Sequence, residues 1–287
     1  MNRSMINAFV SMQSIQQKLD VIAHNIANVN TTGYKRREAS FQDILTNVYQ
    51  QPPGFEQDGR LTPLGFPQGW GAKIGQIEIA MEQAALHTTG NPYDLGIEGD
   101  GLFEIQRDVL DENGAPMTAW TRDGSFQLTF DPANPGVMML ATQQGERVMS
   151  SVDGPIQIPL NHTARIDEEG RVFATNNAVP EAEPIFVGQL KIVRALRPQA
   201  LVNEGNNLFR LPPGTNPEGV LETVDIATNN ANEARKIAVR QGFLEQSNVS
   251  LTDEMTELMT VQRAYQLNAR AITSSDTMMS LTNNLRV

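Results

Sequence analysis

Three histidines, a handful of acidic turn residues and one run of glycines are the side chains from which chemistry could be built in this sequence. His24, His87 and His162 are far apart and form no i, i+4 pair on a helix, the spacing that lets two imidazoles share a zinc ion. The chain has no Cys, which excludes disulfides and thiolate metal sites. Gly96, Gly99 and Gly101 superficially resemble a nucleotide loop. Their order is G-x-x-G-x-G, however, and strand rather than helix is expected after them, so they are read as turn glycines. Asp111, Glu112, Asn113 and Gly114 suggest a calcium loop, but Val109 stands at the first ligand position and Trp120 at the terminal acidic one. Asp123, Asp167, Glu168 and Glu169 fall in turns, where carboxylates bond their own backbone or water. No nucleophile and base are paired. The expectation is a protein that is not an enzyme, with no catalytic, cofactor-binding or metal-binding residues.

The elements that would have to position such groups point instead to assembly. From the N-terminus, Met1, Met5, Ala8, Met12, Ile15, Leu19, Ile22, Ile26 and Val29 recur at alternating steps of four and three, the seam of a helix that buries one stripe against another helix. This helix is expected from about Arg3 to Asn28. Asn28, Asn30, Thr31 and Thr32 compete with helical hydrogen bonding at its end, and Gly33 can take a positive φ. Near the C-terminus, Leu251, Met255, Leu258, Tyr265, Ala269, Ile272 and Met279 fall on a similar grid, interrupted by Gln262 and Asp276. Leu267, Ala271, Met278, Leu281 and Leu285 lie beside it and broaden the apolar face, which is wider than one partner needs. Helix is expected from about Ala231 or Gln246 onward, with Ser247 or Thr252 as caps.

Between the two ends the pattern changes. A short helical or extended piece through Phe41, Ile44, Leu45 and Val48 leads into a Gln/Pro/Gly-rich stretch from Gln50 to Gly75, read as an irregular connector. Its Phe55, Leu61, Leu64, Phe66 and Trp70 need a surface to cover. Short β-like runs follow. Residues 94–106 hold two of them, and residues 119–130 read as a hairpin with Asp123-Gly124 at the turn. VMMLA, GPIQIPL and ARIDEEGRVFA, the last with a turn at Glu169-Gly170, precede the longest run, PIFVGQLKIVRAL. NEGNNLFRLPPGTNPEG reads as a loop-rich exit. The fold class is α+β: N- and C-terminal helices pair as a coiled-coil-like unit around a central, mostly antiparallel β domain, a sandwich or small barrel.

Charge narrows the partners. The net charge is −11, and residues 1–40 carry five Lys/Arg against two Asp/Glu, while residues 233–287 carry six of each. The middle therefore holds −14, which disfavours nucleic acid as a partner. No apolar run approaches the roughly 18–20 residues needed to cross a bilayer, so no membrane insertion is expected. The start, MNRSMINAFVSMQ, lacks the apolar core and cleavage site of a secretory signal.

Three blocks of residues carry a resemblance. The segment His24 to Arg36, HNIANVNTTGYKR, resembles the N-terminal signature of bacterial flagellar rod and hook proteins. Gly242 to Val249, GFLEQSNV, followed by Glu254-Met255 and by Gln262 to Asn268, QRAYQLN, is similar to the C-terminal signature of the same family. Asp94 to Phe103, DLGIEGDGLF, and Thr121 to Phe126, TRDGSF, are similar to the central β domain of its distal rod and hook-basal-body members. The resemblance spans nearly the whole chain. His24 stands where the family commonly has Asn, and Tyr34 where Phe is commoner.

What the resemblance implies is a structural subunit of the flagellar basal-body rod, distal rod-like, with no cofactor. Its terminal helices would form the inner layer of a helical tube that transmits torque to the hook. The implied partners are further copies of the chain, neighbouring rod and hook proteins, and the flagellar type III export apparatus, which the family uses in place of a cleaved signal. The location would be the basal body, outside the cytoplasm. The expected divisions are 1–49 as an N-terminal axial segment, 50–90 as the connector, 91–230 as the β domain and 231–287 as a C-terminal axial segment. The assembly interface is assigned to Met12, Ile15, Leu19, Ile22, Asn25, Ile26, Asn28, Val29, Asn30, Thr31, Gly33 and Tyr34 from one end. From the other it takes Asn248, Leu251, Glu254, Met255, Leu258, Gln262, Arg263, Tyr265, Asn268, Ile272 and Met279. The rival reading keeps the paired helices and makes the β domain a secreted binding module or adhesin, whose mark would be an aromatic-lined pocket.

Overall fold

The computed structural model describes residues 2–44, 47–49, 66–68, 71–110, 116–131, 134, 136–152, 154–176, 183–224, 226 and 237–284. The chain divides into two compact units, and both are discontinuous in sequence. One gathers Met1–Ala27, Arg37–Glu78 and Ser250–Val287; the other gathers Asn28–Arg36 and Ile79–Val249.

The first unit holds the only two α-helices among the described residues, α1 (Asn2–Ala27) and α2 (Leu251–Asn284). They pack against each other, with Asn25 bonded to Glu254 and Lys18 paired with Glu257. Moving back along α1 moves forward along α2, so the pair is antiparallel. Asp253 and Glu254 in the first turn of α2 set negative charge where the helix dipole favours it, and the Ser250 carbonyl accepts the Glu254 N–H at 3.0 Å. Along the rest of α2, hydroxyls such as Thr256, Ser275 and Thr282 bond back to carbonyls one turn earlier, which lets a polar helix satisfy its own surface. Strand Arg37–Asp43 pairs with Ala72–Ile79, and Asn47–Tyr49 pairs antiparallel with Phe66–Gln68. The piece through Phe41 is thus extended rather than helical. The connector is also strand where it is described, at 66–68 and 72–79; residues 50–65, 69 and 70 lie outside the described residues.

Where it is described, the second unit is built of strands with two short 3-10 helices, Pro198–Ala200 and Pro217–Gly219, and every strand pairing described in it is antiparallel. The main path runs Gln157–Pro159, Val137–Thr142, Arg147–Ser150, Leu102–Leu110, Pro116–Thr121, Leu208–Arg210, Val202–Gly205, with Ile192–Ala195 joining Leu102–Leu110 to Leu221–Val224. A three-stranded sheet, His162–Ile166, Arg171–Asn176 and Ile185–Gln189, stands apart from it. Ala238–Gln241 pairs with Leu95–Glu98, and Phe243–Glu245 with Leu86–Thr88. Phe103, Leu95, Ile97, Ile105, Ile156, Ile158 and Ile192 fill the main core, where Phe126 meets Phe103 edge-on at 5.1 Å. A second cluster of Trp120, Val193, Leu201, Phe209, Val220 and Leu221 forms with Leu102.

Several expectations are corrected here. Residues 119–130 are not a hairpin: Pro116–Thr121 pairs with Leu102–Leu110 and Leu208–Arg210, whereas Phe126–Phe130 pairs with Val137–Thr142. The Asp123-Gly124 step turns the chain from one neighbour to another, because Gly124 presses its missing side chain against the Leu95 backbone and its carbonyl accepts the Leu95 N–H. The run PIFVGQLKIVRAL splits at Leu190-Lys191 into strands of two different sheets. NEGNNLFR is a hairpin rather than a loop, turned by Asn206 and Asn207 at φ 49° and 58°. Asn tolerates this left-handed region better than other side chains. The Glu169-Gly170 turn does form, with Gly170 at φ 73° between Ile166 and its partner Val172. Helix does not begin at Gln246 but at Leu251, since residues 238–245 are strand with Gly242 at φ 77° between them; 231–236 lie outside the described residues.

Candidate assembly site

Within the first unit, the helix pair buries a stripe that differs from the sequence grid by part of a turn. On α2 the buried and half-buried positions among the described side chains are Glu254, Glu257, Leu258, Val261, Ala264, Tyr265, Asn268, Ala269, Ile272, Ser275 and Met279; of these, Glu254, Leu258, Val261, Tyr265, Asn268, Ile272, Ser275 and Met279 alternate by four and three. Leu251, Met255, Gln262 and Arg263, assigned to the grid or interface from sequence, are exposed, as are Met259, Leu267, Met278 and Leu281. Polar residues explain the offset. Counting only apolar side chains passes over Glu254, which meets Asn25 of α1, and the half-buried Asn268 and Ser275. On α1, Met12, Ile15, Leu19 and Ile26 are half-buried, and the deepest residues are Ser14, Ile22 and Asn25. Ser14 was not anticipated; its hydroxyl lies 2.8 Å from the Ala72 carbonyl.

Within the second unit, the three sequence blocks converge on one buried cluster of charge. Glu245 is its centre: Oε1 accepts the Lys35 ammonium at 2.9 Å and the Ala84 N–H at 2.7 Å, and Oε2 accepts the Arg122 Nε–H. Lys35 also donates to the Glu82 carbonyl, and Arg122 to the carbonyls of Gly101 and Ile97. Burial alone would raise the Glu245 pKa, but Arg122 and Lys35 outweigh it and hold the carboxyl below its usual range. Lys35 is pushed below the usual lysine value by burial, aided by Arg122 and opposed by Glu245.

The segment 28–36 is fastened around this cluster by its backbone. Thr31 N–H returns to the Asn28 carbonyl and Thr31 Oγ1 to Asn28 Oδ1, closing the turn after α1, with Val29 half-buried and Asn30 exposed. Gly33 N–H donates to the Glu245 carbonyl at 2.8 Å, at φ 67°, where a side chain would meet the Asp123 nitrogen at 2.6 Å. Tyr34 is buried. Asn248 accepts the Arg36 N–H at 2.6 Å and donates to the Ala80 and Glu82 carbonyls. Thr32 donates to Asp123, which also receives the N–H and hydroxyl of Ser125, so this carboxylate is spent on its own turn. Sequence reasoning quoted Lys35, Arg122 and Glu245 within motifs but did not nominate them; a charged residue inside an otherwise Gly- and Asn-rich block was the available signal.

The residues weighed for chemistry are dispersed. His24, His87 and His162 are all outside the core, His24 with its pKa lowered by burial and by Arg37. Asp167 accepts the Glu168 N–H and pairs with Arg171, and those contacts hold its pKa down. No grouping of three or more His, Cys, Asp or Glu that could hold a metal occurs among the described residues. No described helix is long and apolar enough to cross a membrane.

The chain is α+β, its two ends pack as helices, and Lys35, Arg122 and Glu245 of the three motif blocks fasten the β unit internally. Comparison with known proteins supplies the family. Residues 11–35 match the family described as flagella basal body rod protein, residues 96–174 the flagellar hook protein FlgE/F/G D1 domain, and residues 240–285 the flagellar basal body rod FlgEFG protein C-terminal region. The flagellar basal-body rod protein FlgG of Borreliella burgdorferi is 35% identical over 100% of this chain and 99% of its own length. FlgG of Bacillus subtilis is 34% identical, and the flagellar hook-basal body complex protein FlhP of the same organism 31%, each over 100% of both chains. The chain belongs to the flagellar basal-body rod protein family.

Proposed function

We propose that this protein is a structural subunit of the flagellar basal-body rod, distal rod-like, that assembles through its terminal helices into a helical tube and transmits torque to the hook. The observation that carries this reading is similarity to FlgG rod proteins along the entire chain. It favours the rod over the secreted adhesin, and structural work over catalysis.

The exposed row of Leu251, Met255, Met259, Leu267, Met278 and Leu281 on α2 supports assembly, since apolar area of this extent is stabilised by burial at about 25 cal/mol per Å². In this account α1 and α2 pair as a coiled-coil-like unit that lines the tube, and the β unit is a sandwich or small barrel. Residues 1–49 and 231–287 then serve as axial segments flanking a connector over 50–90 and a β domain over 91–230. Contacts between copies that do not close into a ring generate a filament. Partners are further copies, adjoining rod and hook proteins, and the type III export apparatus. Purified full-length chain, concentrated and imaged by electron microscopy, tests this: rod-like polymers are expected, and Met255→Asp with Leu267→Asp should abolish them. Polymers indifferent to both substitutions would refute assembly through α2.

A further inference from the structure

Two of the most deeply buried residues of the helix pair are polar and face each other. Asn25 is 1% exposed and Glu254 2% exposed. The Asn25 amide reads the backbone of Arg37 in both directions, accepting its N–H at 3.0 Å and donating to its carbonyl at 2.9 Å, and it donates to Glu254 Oε1 at 3.2 Å. One heptad earlier on α1, Lys18 pairs with Glu257, one turn further along α2, while its ammonium also sits 5.4 Å from the centre of the Phe41 ring. Buried polar groups at a helix seam lower stability relative to well-packed apolar ones, but they penalise any alignment that leaves them without partners.

We infer that Asn25 and Lys18 form a selection filter for the partner helix: α1 accepts only a helix presenting carboxylates at i and i+3, as Glu254 and Glu257 do, in one antiparallel register. A slide of α2 by one heptad would place Val261 against the Asn25 amide and take the Glu254 carboxylate away from its donor. The apolar stripes alone do not discriminate in this way, because their repeat of four and three matches itself at every heptad. The filter therefore secures the pairing of a chain's own ends against slipped alignments and against helices of similar apolar pattern that lack the two carboxylates. It rests on the helix pair and holds whether or not the protein forms a rod.

The absence of Cys allows a clean test in the full chain. Spin labels on Gln13→Cys and Gln266→Cys, both exposed positions, report the α1 to α2 distance by double electron-electron resonance. The parent should give one narrow distance. Asn25→Leu with Glu254→Leu leaves the Arg37 backbone without its amide partner and should lower the melting temperature, and in the folded chain a second distance population should appear, produced by a slide of one heptad, about 10.5 Å along the helix axis. A single unshifted distance in that variant would overturn the filter. The reciprocal exchange decides the matter should the leucine variant fail to fold. Asn25→Asp alone sets two carboxylates together and should remove the parent distance, whereas N25D/E254Q, which restores a donor opposite an acceptor, should recover at least half of its amplitude. Failure of the exchange to recover it would overturn the proposal, because Asn25 would then be serving the Arg37 backbone alone.

Discussion

Glu245 is an ionised carboxylate in the interior of the β unit, and it is held there by one lysine, one arginine and the Ala84 N–H rather than by solvent. Removing its charge leaves Lys35 and Arg122 together without their counter-ion, so Glu245→Gln should cost about 3–5 kcal/mol of stability, the range for breaking a buried pair. A thermal melt of the purified chain measures it. The pH dependence follows from the direction of the shift. The folded pKa of Glu245 lies below its unfolded value, so its contribution is fully present above the unfolded carboxylate range and disappears as pH falls through the lower folded value. Chemical denaturation between pH 6 and pH 3 should show an acid loss that the Gln variant lacks. Gly33 makes a second prediction at this scale. Its positive φ and the close Asp123 nitrogen should make Gly33→Ala cost about 1–3 kcal/mol. The glycine was legible in sequence as a position of positive φ, while the convergence of Lys35, Arg122 and Glu245, separated by up to 210 residues, was not. Pairing across such separations leaves no local pattern; only the surrounding motif did.

At the level of elements, periodicity located both helices and much of the face they share: Leu258, Tyr265, Ala269, Ile272 and Met279 of its α2 grid are half-buried. The apolar grid also held Leu251 and Met255, which are exposed, and left out Val261, which is buried. The distinction is measurable. Val261→Asp should destabilise the helix pair by about 2 kcal/mol or more, an uncompensated buried polar group, whereas Met255→Asp should leave the monomer within about 0.5 kcal/mol and act on assembly alone. Strand identities were largely readable from β-branched and aromatic runs, but strand neighbours were not. Phe126–Phe130 leaves Pro116–Thr121 for Val137–Thr142 because Gly124 packs on Leu95, a contact made 29 residues away in the chain. The Asn206-Asn207 hairpin was hidden for a different reason: its strands are only three and four residues long. Asn206→Gly should be tolerated and Asn206→Val should cost about 1–2 kcal/mol, the penalty of a β-branched residue in the left-handed region.

For the whole molecule, the first and last segments of the chain contribute to both compact units, residues 28–36 and 237–249 to the β unit and the helices to the other. Neither unit is a contiguous stretch, and the β unit draws on residues 28–36 and 237–249 outside the boundaries near 90 and 230. A piece cut at those boundaries would lack Lys35, Glu245 and Asn248 and should not reproduce the folded β unit. The most direct test of the rod assignment is deletion of the gene in its motile host, followed by electron microscopy of isolated basal bodies. A rod that stops short and carries no hook is expected, restored by the full-length chain and not by one bearing Met255→Asp and Leu267→Asp. Intact, rotating flagella in the deletion strain would contradict the account.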